Sequence, residues 1–193
     1  MKKVRVAIFA SGRGSNAKKI HQYSINQEAS YEVALVVSNR KEAGILNYAR
    51  EEGIPYYRVS RKTLADTDML LTELQEYRID LIVLAGFLLL IPPYIIDAYP
   101  KKVINIHPAL LPKYGGKGMY GIHIHEAVMS AGEKTSGITI HFADEAYDEG
   151  QVIFQAQKMI DHCESAQEIA EEILQLEHHF YSKIIEGISK RLS

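Results

Sequence analysis

Val4-Arg5-Val6-Ala7-Ile8-Phe9-Ala10-Ser11-Gly12-Arg13-Gly14-Ser15-Asn16 is an apolar run that empties into a turn carrying two glycines. Its first part, over residues 4–10, alternates β-branched residues and reads as a buried strand, and the stretch from 17 to about 23 reads as a helix. A strand, a glycine-rich turn and a helix in that order present backbone N–H groups and a positive helix end to an anion, most often a phosphate. Ser15 and Asn16 are also residue types that favour an N-cap. The competing reading is a plain capped strand-to-helix turn.

The alternation continues outward from that stretch. Strands are expected over 32–38, 56–59, 81–85 and 103–107, with helices over 44–52 and 67–77 and a short one after Pro92-Pro93. This predicts a doubly wound α/β fold, a mostly parallel sheet with helices on both faces. After Pro108 a glycine-rich loop ends near Gly121, and a helix follows from 122 to about 131. Strands over 137–142 and 151–157 are joined by too few residues for a helical crossover, so that pair is expected to be antiparallel. Ser165-Ala166-Gln167-Glu168 forms a capping box, and Ile169, Ile173, Leu176, Phe180, Ile184 and Ile188 recur at three- and four-residue steps, which predicts a long helix packed on the sheet. No repeat or linker-like tract divides the chain, and one domain over 1–193 is expected.

Chemistry concentrates at the end of the 103–107 strand. Asn105 and His107 are two apart, so they project from the same face, and Pro108 ends the ladder there. The carboxyl edge of an open parallel sheet is where ligands bind. An amide and an imidazole side by side can stabilise a developing oxyanion, or they can satisfy a neighbouring loop. The loop after the strand carrying His141 holds Asp144, Glu145, Asp148 and Glu149, and local sequence favours a solvated turn for it. His123/His125 and His178/His179 lack the three- or four-residue spacing that puts two ligands on one helix face, so no metal is expected. Gly115-Gly116-Lys117-Gly118 lacks the spacing of a P-loop and reads as a surface loop near the site.

Composition narrows the function class. In 193 residues, 47% are hydrophobic and 24% charged, ordinary values for a soluble globular domain. A net charge of −2, with basic residues only in short scattered clusters, argues against a nucleic-acid partner. Cys163 is the sole cysteine, which excludes an intrachain disulfide and suits a reducing compartment, so a cytoplasmic location is expected. Asp161 and Glu164 beside it disfavour a nucleophilic thiolate. The first apolar run is interrupted by Arg5 and ends at Gly12, which marks a strand rather than a signal peptide. The longest apolar stretch, 81–99, contains Asp97 and two prolines, so no membrane partner is expected.

Taken together, Gly14-Ser15-Asn16, Leu84-Ala85-Gly86-Phe87, Asn105-Ile106-His107-Pro108-Ala109-Leu110-Leu111-Pro112 and Asp148-Glu149-Gly150 resemble the glycinamide ribonucleotide formyltransferase family. These are folate-dependent formyltransferases with a Rossmann-like fold, and the resemblance spans residues 4–181. It implies formyl transfer from 10-formyltetrahydrofolate, as co-substrate, to the amine of glycinamide ribonucleotide in purine biosynthesis, without a metal and with an oligomer possible. It implies Asn105, His107 and Asp148 as the catalytic trio, Gly14, Ser15 and Asn16 as holders of the substrate phosphate, and Glu177 as a ribose contact. Phe87, Leu88, Leu89, Leu90 and His141 are implied on the folate side. Attack of an amine on a formyl carbon builds negative charge on oxygen, which an amide N–H and an imidazolium can stabilise while a carboxylate keeps His107 oriented and protonated and takes up the amine proton.

Four residues depart from the family pattern. Leu88-Leu89 stands where the family often has Met-Arg, Ala109 where a serine is frequent, and Leu174 where a glutamine often precedes the ribose-binding glutamate. A rival reading also starts from the first turn. Gly12-x-Gly14-x-x-Ala17 fits a dinucleotide fingerprint, and Ser38-Asn39-Arg40 at the end of the second strand suits a 2′-phosphate, as in an NADP-dependent reductase. That reading leaves Asn105, His107 and Asp148 without a task, and a non-catalytic phosphate-binding module leaves them equally idle. Hydrolase and transfer-RNA members of the wider superfamily are expected to carry an additional domain, for which this chain has no room.

Overall fold

The structure is a computed structural model that describes residues 2–65 and 67–193. Seven strands form one sheet in the order β3-β2-β1-β4-β5-β6-β7. In chain order these are β1 (Val4–Phe9), β2 (Tyr31–Ser38), β3 (Tyr56–Arg58), β4 (Leu81–Leu84), β5 (Val103–His107), β6 (Thr135–Phe142) and β7 (Val152–Met159). The helices are α1 (Ser15–Asn26), α2 (Gly44–Glu51), α3 (Arg61–Ala65), α4 (Thr67–Glu76), α5 (Pro93–Ala98), α6 (Ile122–Ser130) and α7 (Ala166–Leu192). The expected doubly wound architecture is present. The first five strands pair in parallel, and the reversal comes one strand earlier than expected, because β6 runs antiparallel to β5 as well as to β7.

Alternation along each strand divides the core into two layers. Val6, Ile8, Val83, Ile104 and Ile106 point to one face, where they meet Ile20 of α1, Ile45 of α2 and Ile169, Ile173, Tyr181 and Ile185 of α7. Ala7, Phe9, Ile82, Leu84 and Val103 point to the other, against Leu64, Leu70, Leu74 and Ile95 of α3, α4 and α5. The central strands β1, β4 and β5 are thus apolar on both faces over most of their length, as a sheet covered by helices requires. On the second face of β5 the parity passes from Val103 to Asn105 and His107.

The register then decides what those two residues meet. Asn105 lies opposite His141 and His107 opposite Thr139. Directly opposed residues on one sheet face approach within side-chain reach. Asn105 and His141 are therefore brought together by strand pairing before any loop contributes.

Helix α7 differs from its expected pattern in an instructive way. Ser165 caps it by accepting a hydrogen bond from Glu168 N, but the Glu168 carboxylate reaches back one residue further, to Glu164 N at 2.8 Å. Its buried positions include Ile169, Ile173, Glu177, Tyr181 and Ile185, a four-residue repeat with one carboxylate in it, flanked by Ser182 and Ser189. The Tyr181 hydroxyl donates to Leu84 O at 2.9 Å and Ile104 O at 3.3 Å, so it ties the adjacent ends of β4 and β5 to this helix. Tyr181→Phe leaves those buried carbonyls with a lost donor, and urea unfolding should show a loss of about 1–3 kcal/mol.

Candidate functional site

The turn after β1 holds its shape through a glycine that nothing else could replace. Gly14 has φ +74°, and a Cβ there would lie 2.7 Å from Ile45 of α2. It is also the residue that caps α1, with no side-chain hydrogen bond, so Ser15 and Asn16 do not act as N-caps as their types suggested. Both lie inside the helix, because the left-handed turn at Gly14 already delivers the chain into helical geometry. The first helical bond runs from Lys18 N to Gly14 O. The N–H groups of Ser15, Asn16 and Ala17 accordingly have no partner within the helix and face the carboxyl edge of the sheet as an anion cradle.

Asn16 does something more specific than capping. Its Nδ2 donates to Glu177 Oε2 at 2.7 Å, a buried contact between the first and last helices, while its Oδ1 is buried without a partner among the described residues. Burial pushes the Glu177 carboxyl up to about 7, against the pull of the Asn16 amide. The implied phosphate turn and the implied ribose contact are therefore joined by a direct hydrogen bond.

The second half of the site forms around Asp148. This residue has φ +61° and is largely buried, whereas Glu145 and Glu149 beside it are exposed. One carboxylate oxygen, Oδ2, accepts from Gly116 N at 3.0 Å and lies 3.4 Å from His107 Nδ1. The other, Oδ1, lies 3.4 Å from Asn105 Nδ2 and 3.6 Å from His141 Nε2. The His107 contact is slightly longer than a direct hydrogen bond. The solvated turn favoured by local sequence is the correct description of Glu145 and Glu149 but not of Asp148, which folds inward.

Hydrogen bonding fixes where the protons sit. His107 Nε2 is 2.8 Å from Tyr114 O, and a carbonyl only accepts, so Nε2 carries the proton and Nδ1 is left facing Asp148. His141 Nδ1 is 2.9 Å from Phe142 O by the same logic, so its Nε2 accepts from Asn105 Nδ2 at 3.1 Å. His141, expected on the folate side, thus also packs against the amide of Asn105.

Burial and hydrogen bonding oppose each other at His107. Burial lowers the affinity of His107 for a second proton more than Asp148 and the Tyr114 carbonyl raise it, and His141 lowers it further. Asp148 falls below its usual carboxylate range: burial alone would raise it, but its contacts with His141 and His107 and the Gly116 N–H together outweigh that cost. Nearby His125 is pushed down to about 4 by burial and by His107, whereas His123 is exposed beside Glu126.

The implied folate-side segment lies at the end of β4. Ser11 N donates to Gly86 O and Leu88 N donates to the Ser11 hydroxyl, which itself donates to Asn39, so this segment is stitched to the phosphate turn. Phe87 packs edge-on against Phe9 at 5.3 Å, and Leu89 packs on the second core layer. Leu88 and Leu90 are exposed. A groove of about 410 Å³ is lined by Asn39, Arg40, Arg61, Leu88, Leu89 and Tyr120. Sequence reasoning missed Tyr114 and Gly116 because both act through the backbone. The polar parity of Thr139 and His141 along β6 was the signal that could have found the latter's place.

Residues 4–185 match the formyl transferase family. The chain is 39% identical over 95% of its length to a chloroplastic phosphoribosylglycinamide formyltransferase of Arabidopsis thaliana. It spans 65% of that relative, and 62% and 64% of those of Vigna unguiculata and Glycine max, just under two thirds in each case. Over 95% of its length it is 34% identical to the phosphoribosylglycinamide formyltransferase of Bacillus subtilis, covering 94% of that protein. The crystal structure of a phosphoribosylglycinamide formyltransferase from Bacillus halodurans superimposes with a TM-score of 0.87 at 33% identity, covering 95% of this chain and 94% of that one.

The buried carboxyl of Glu177 gives a pH-dependent prediction. Its folded value of about 7 lies above the ordinary 4.5, so ionisation costs the folded state more than the unfolded one. The penalty is absent below about pH 4.5 and builds until the folded carboxyl has ionised above about pH 7. Glu177→Gln keeps an acceptor for Asn16 and removes the charge. It should match the wild type at pH 4 and exceed its unfolding free energy by about 3 kcal/mol at pH 8.5, at 1.36 kcal/mol per unit.

Proposed function

The chain belongs to the formyl transferase family, and on that premise we propose that it transfers a formyl group from 10-formyltetrahydrofolate to the amine of glycinamide ribonucleotide, a step of purine biosynthesis. The observation that carries this reading is the convergence of Asn105, His107 and Asp148 at the carboxyl end of β5, two strands along the same sheet edge from the anion cradle at Gly14, Ser15 and Asn16. The two requirements of the reaction, an anchored phosphate and a polar centre for acyl transfer, thus share one edge.

The ribonucleotide phosphate is placed against the N–H groups at the start of α1, where backbone donors and the helix dipole suffice without a dedicated cation. Glu177 and the free Asn16 Oδ1 offer acceptors to the ribose hydroxyls. The folate lies along Phe87 to Leu90 and towards His141. Arg40 and Arg61, which make no ion pair among the described residues, supply positive charge in the groove beside Leu88 and Leu89, where the family's usual arginine is missing.

In the reaction the amine nitrogen forms a bond to the formyl carbon, and the bond from that carbon to the folate nitrogen breaks. The amine loses a proton and the folate nitrogen gains one. Asn105 Nδ2 donates to the oxygen as it becomes anionic. His107 faces the Tyr114 carbonyl through Nε2 and the Asp148 carboxylate through Nδ1, and its charged form stabilises the growing negative charge on the formyl oxygen. Asp148 orients the ring and accepts the amine proton directly or through water, and that same proton passes to the folate nitrogen as its bond to the formyl carbon breaks.

Small molecules are thus its proposed partners, with no nucleic acid and no membrane. Among the described residues no helix is long and apolar enough to cross a membrane. The free thiol of Cys163 suits a reducing, cytoplasmic setting. A reductase reading of the Gly12 to Ala17 turn gains nothing from the cluster around Asp148.

Steady-state kinetics of four proteins tests the assignment. His107→Ala and Asp148→Asn should each lower kcat by about 100-fold or more with little change in ribonucleotide affinity. Because the two act as a unit, the double variant should be scarcely worse than the weaker single one. Losses that multiply, or calorimetric binding of NADPH in place of the ribonucleotide, would refute it.

A further inference from the structure

Residues 115–121 form a glycine-rich strap that starts at Asp148 and ends in the groove beside β4. At its first end Gly116 N donates to Asp148 Oδ2 at 3.0 Å, and Gly115 packs so closely there that a Cβ would lie 2.6 Å from Leu111 and 3.3 Å from Asp148. Met119 N then donates to Gly116 O at 3.1 Å, which closes a tight turn. At the other end Gly121 caps α6 with φ +58° and ψ −135°, a conformation that favours glycine. Tyr120 stands between that turn and that cap. Its ring meets the His123 ring edge to face at 5.6 Å, and His123 Nδ1 in turn lies 3.1 Å from Glu126 Oε2 on α6. Both ends of the strap are fixed, so the start of the helix sets the direction of the tyrosine.

That direction is towards the groove of about 410 Å³, which Tyr120 lines together with Leu88, Leu89, Arg40 and Arg61. Tyr120 is 51% exposed and Leu88 37% exposed, so an aromatic ring and an aliphatic side chain face solvent in one groove. Scattered exposed apolar residues need no explanation, but apolar residues gathered in a concave site beside two guanidinium groups mark a surface built for a ligand. Apolar surface and positive charge together suit a flat aromatic ring that carries carboxylates, since aromatic rings pair in stacked or edge-on contact and the cations take the anionic groups. The benzoylglutamate half of 10-formyltetrahydrofolate has that chemistry. We propose that Tyr120 is a binding residue for the folate co-substrate, its ring packing against the benzoyl ring. The contact comes from the glycine strap rather than from the Gly86 to Leu90 segment, where this chain carries Leu88-Leu89 in place of the Met-Arg frequent in the family.

The inference rests on the formyl-transfer reading above, and its test has a readout independent of turnover. In Tyr120→Ala the KM for 10-formyltetrahydrofolate should rise about tenfold, with the KM for the ribonucleotide within about twofold and kcat at saturating folate within about threefold. Tyr120→Phe keeps the ring and should keep the folate KM within about twofold of the wild type. Lys117→Ala alters the strap at a residue that does not line the groove, and it should leave the folate KM unchanged. Calorimetric binding of tetrahydrofolate needs no turnover and should weaken about tenfold in Tyr120→Ala. Inhibition by p-aminobenzoylglutamate, which has the ring and the carboxylates but no pterin, should weaken by the same factor. Folate binding unchanged in Tyr120→Ala overturns the proposal, as does a Tyr120→Phe or Lys117→Ala protein as impaired as Tyr120→Ala. Inhibition by the fragment that is indifferent to Tyr120 also overturns it, because the tyrosine then meets the pterin instead. A wild type that binds tetrahydrofolate through Tyr120 but transfers no formyl group refutes the functional reading and leaves the ring contact supported.

Discussion

The constraint on which the site depends is the change of direction at β5. On one edge this strand pairs in parallel with β4, and on the other it pairs antiparallel with β6. Parallel pairing aligns its carboxyl end with those of β1 and β4, which brings the glycine turn and the Gly86 to Leu90 segment to the same edge. Antiparallel pairing sets His141 opposite Asn105 and Thr139 opposite His107. A one-residue slip of β5 would turn Asn105 and His107 towards α7 and put Ile104 and Ile106 in their place. The apolar demand of that core layer therefore locks the register of the candidate site.

Around that frame the protein buries a charge and distributes its cost. Asp148 is held by the Gly116 N–H, the Asn105 amide and the His107 ring, which is itself fixed by Tyr114 O, while His141, fixed by Phe142 O, accepts from Asn105. Buried carboxylates persist only when so satisfied. The same burial lowers the proton affinity of His107, and the two acceptors that face its ring oppose that cost. Glu177 is handled differently. With one strong partner it stays near the edge of ionisation, where hydroxyl donors from a bound ribose would favour the carboxylate form.

Much of this was legible in the residues. Apolar runs of β-branched residues bounded by glycine and proline locate strands well, and strand parity at Asn105 and His107 carries directly into three dimensions. The acidic loop was ambiguous because a solvated turn and an inward-folded carboxylate use the same residue types. Only the backbone at Asp148 and the Gly116 N–H tell them apart. Antiparallel pairing of β6 with β5 was hidden because helix α6 lies between them in sequence, and such a crossover fits either direction. The Tyr114 carbonyl was unreadable for a simpler reason: a single backbone carbonyl in a loop has no sequence signature. Family resemblance added the assignment of roles, and departures such as Leu89 mark where the local chemistry has to be worked out from this chain's own residues.

The central claim is that the cluster around Asp148 moves a formyl group between two small molecules bound along one sheet edge. Incubation with 10-formyltetrahydrofolate labelled in the formyl carbon, together with glycinamide ribonucleotide, tests this most directly, with the products separated and the label followed. The account predicts label in the ribonucleotide, formed in step with tetrahydrofolate and dependent on His107. Label released as formate, or label that remains on the folate, would contradict it.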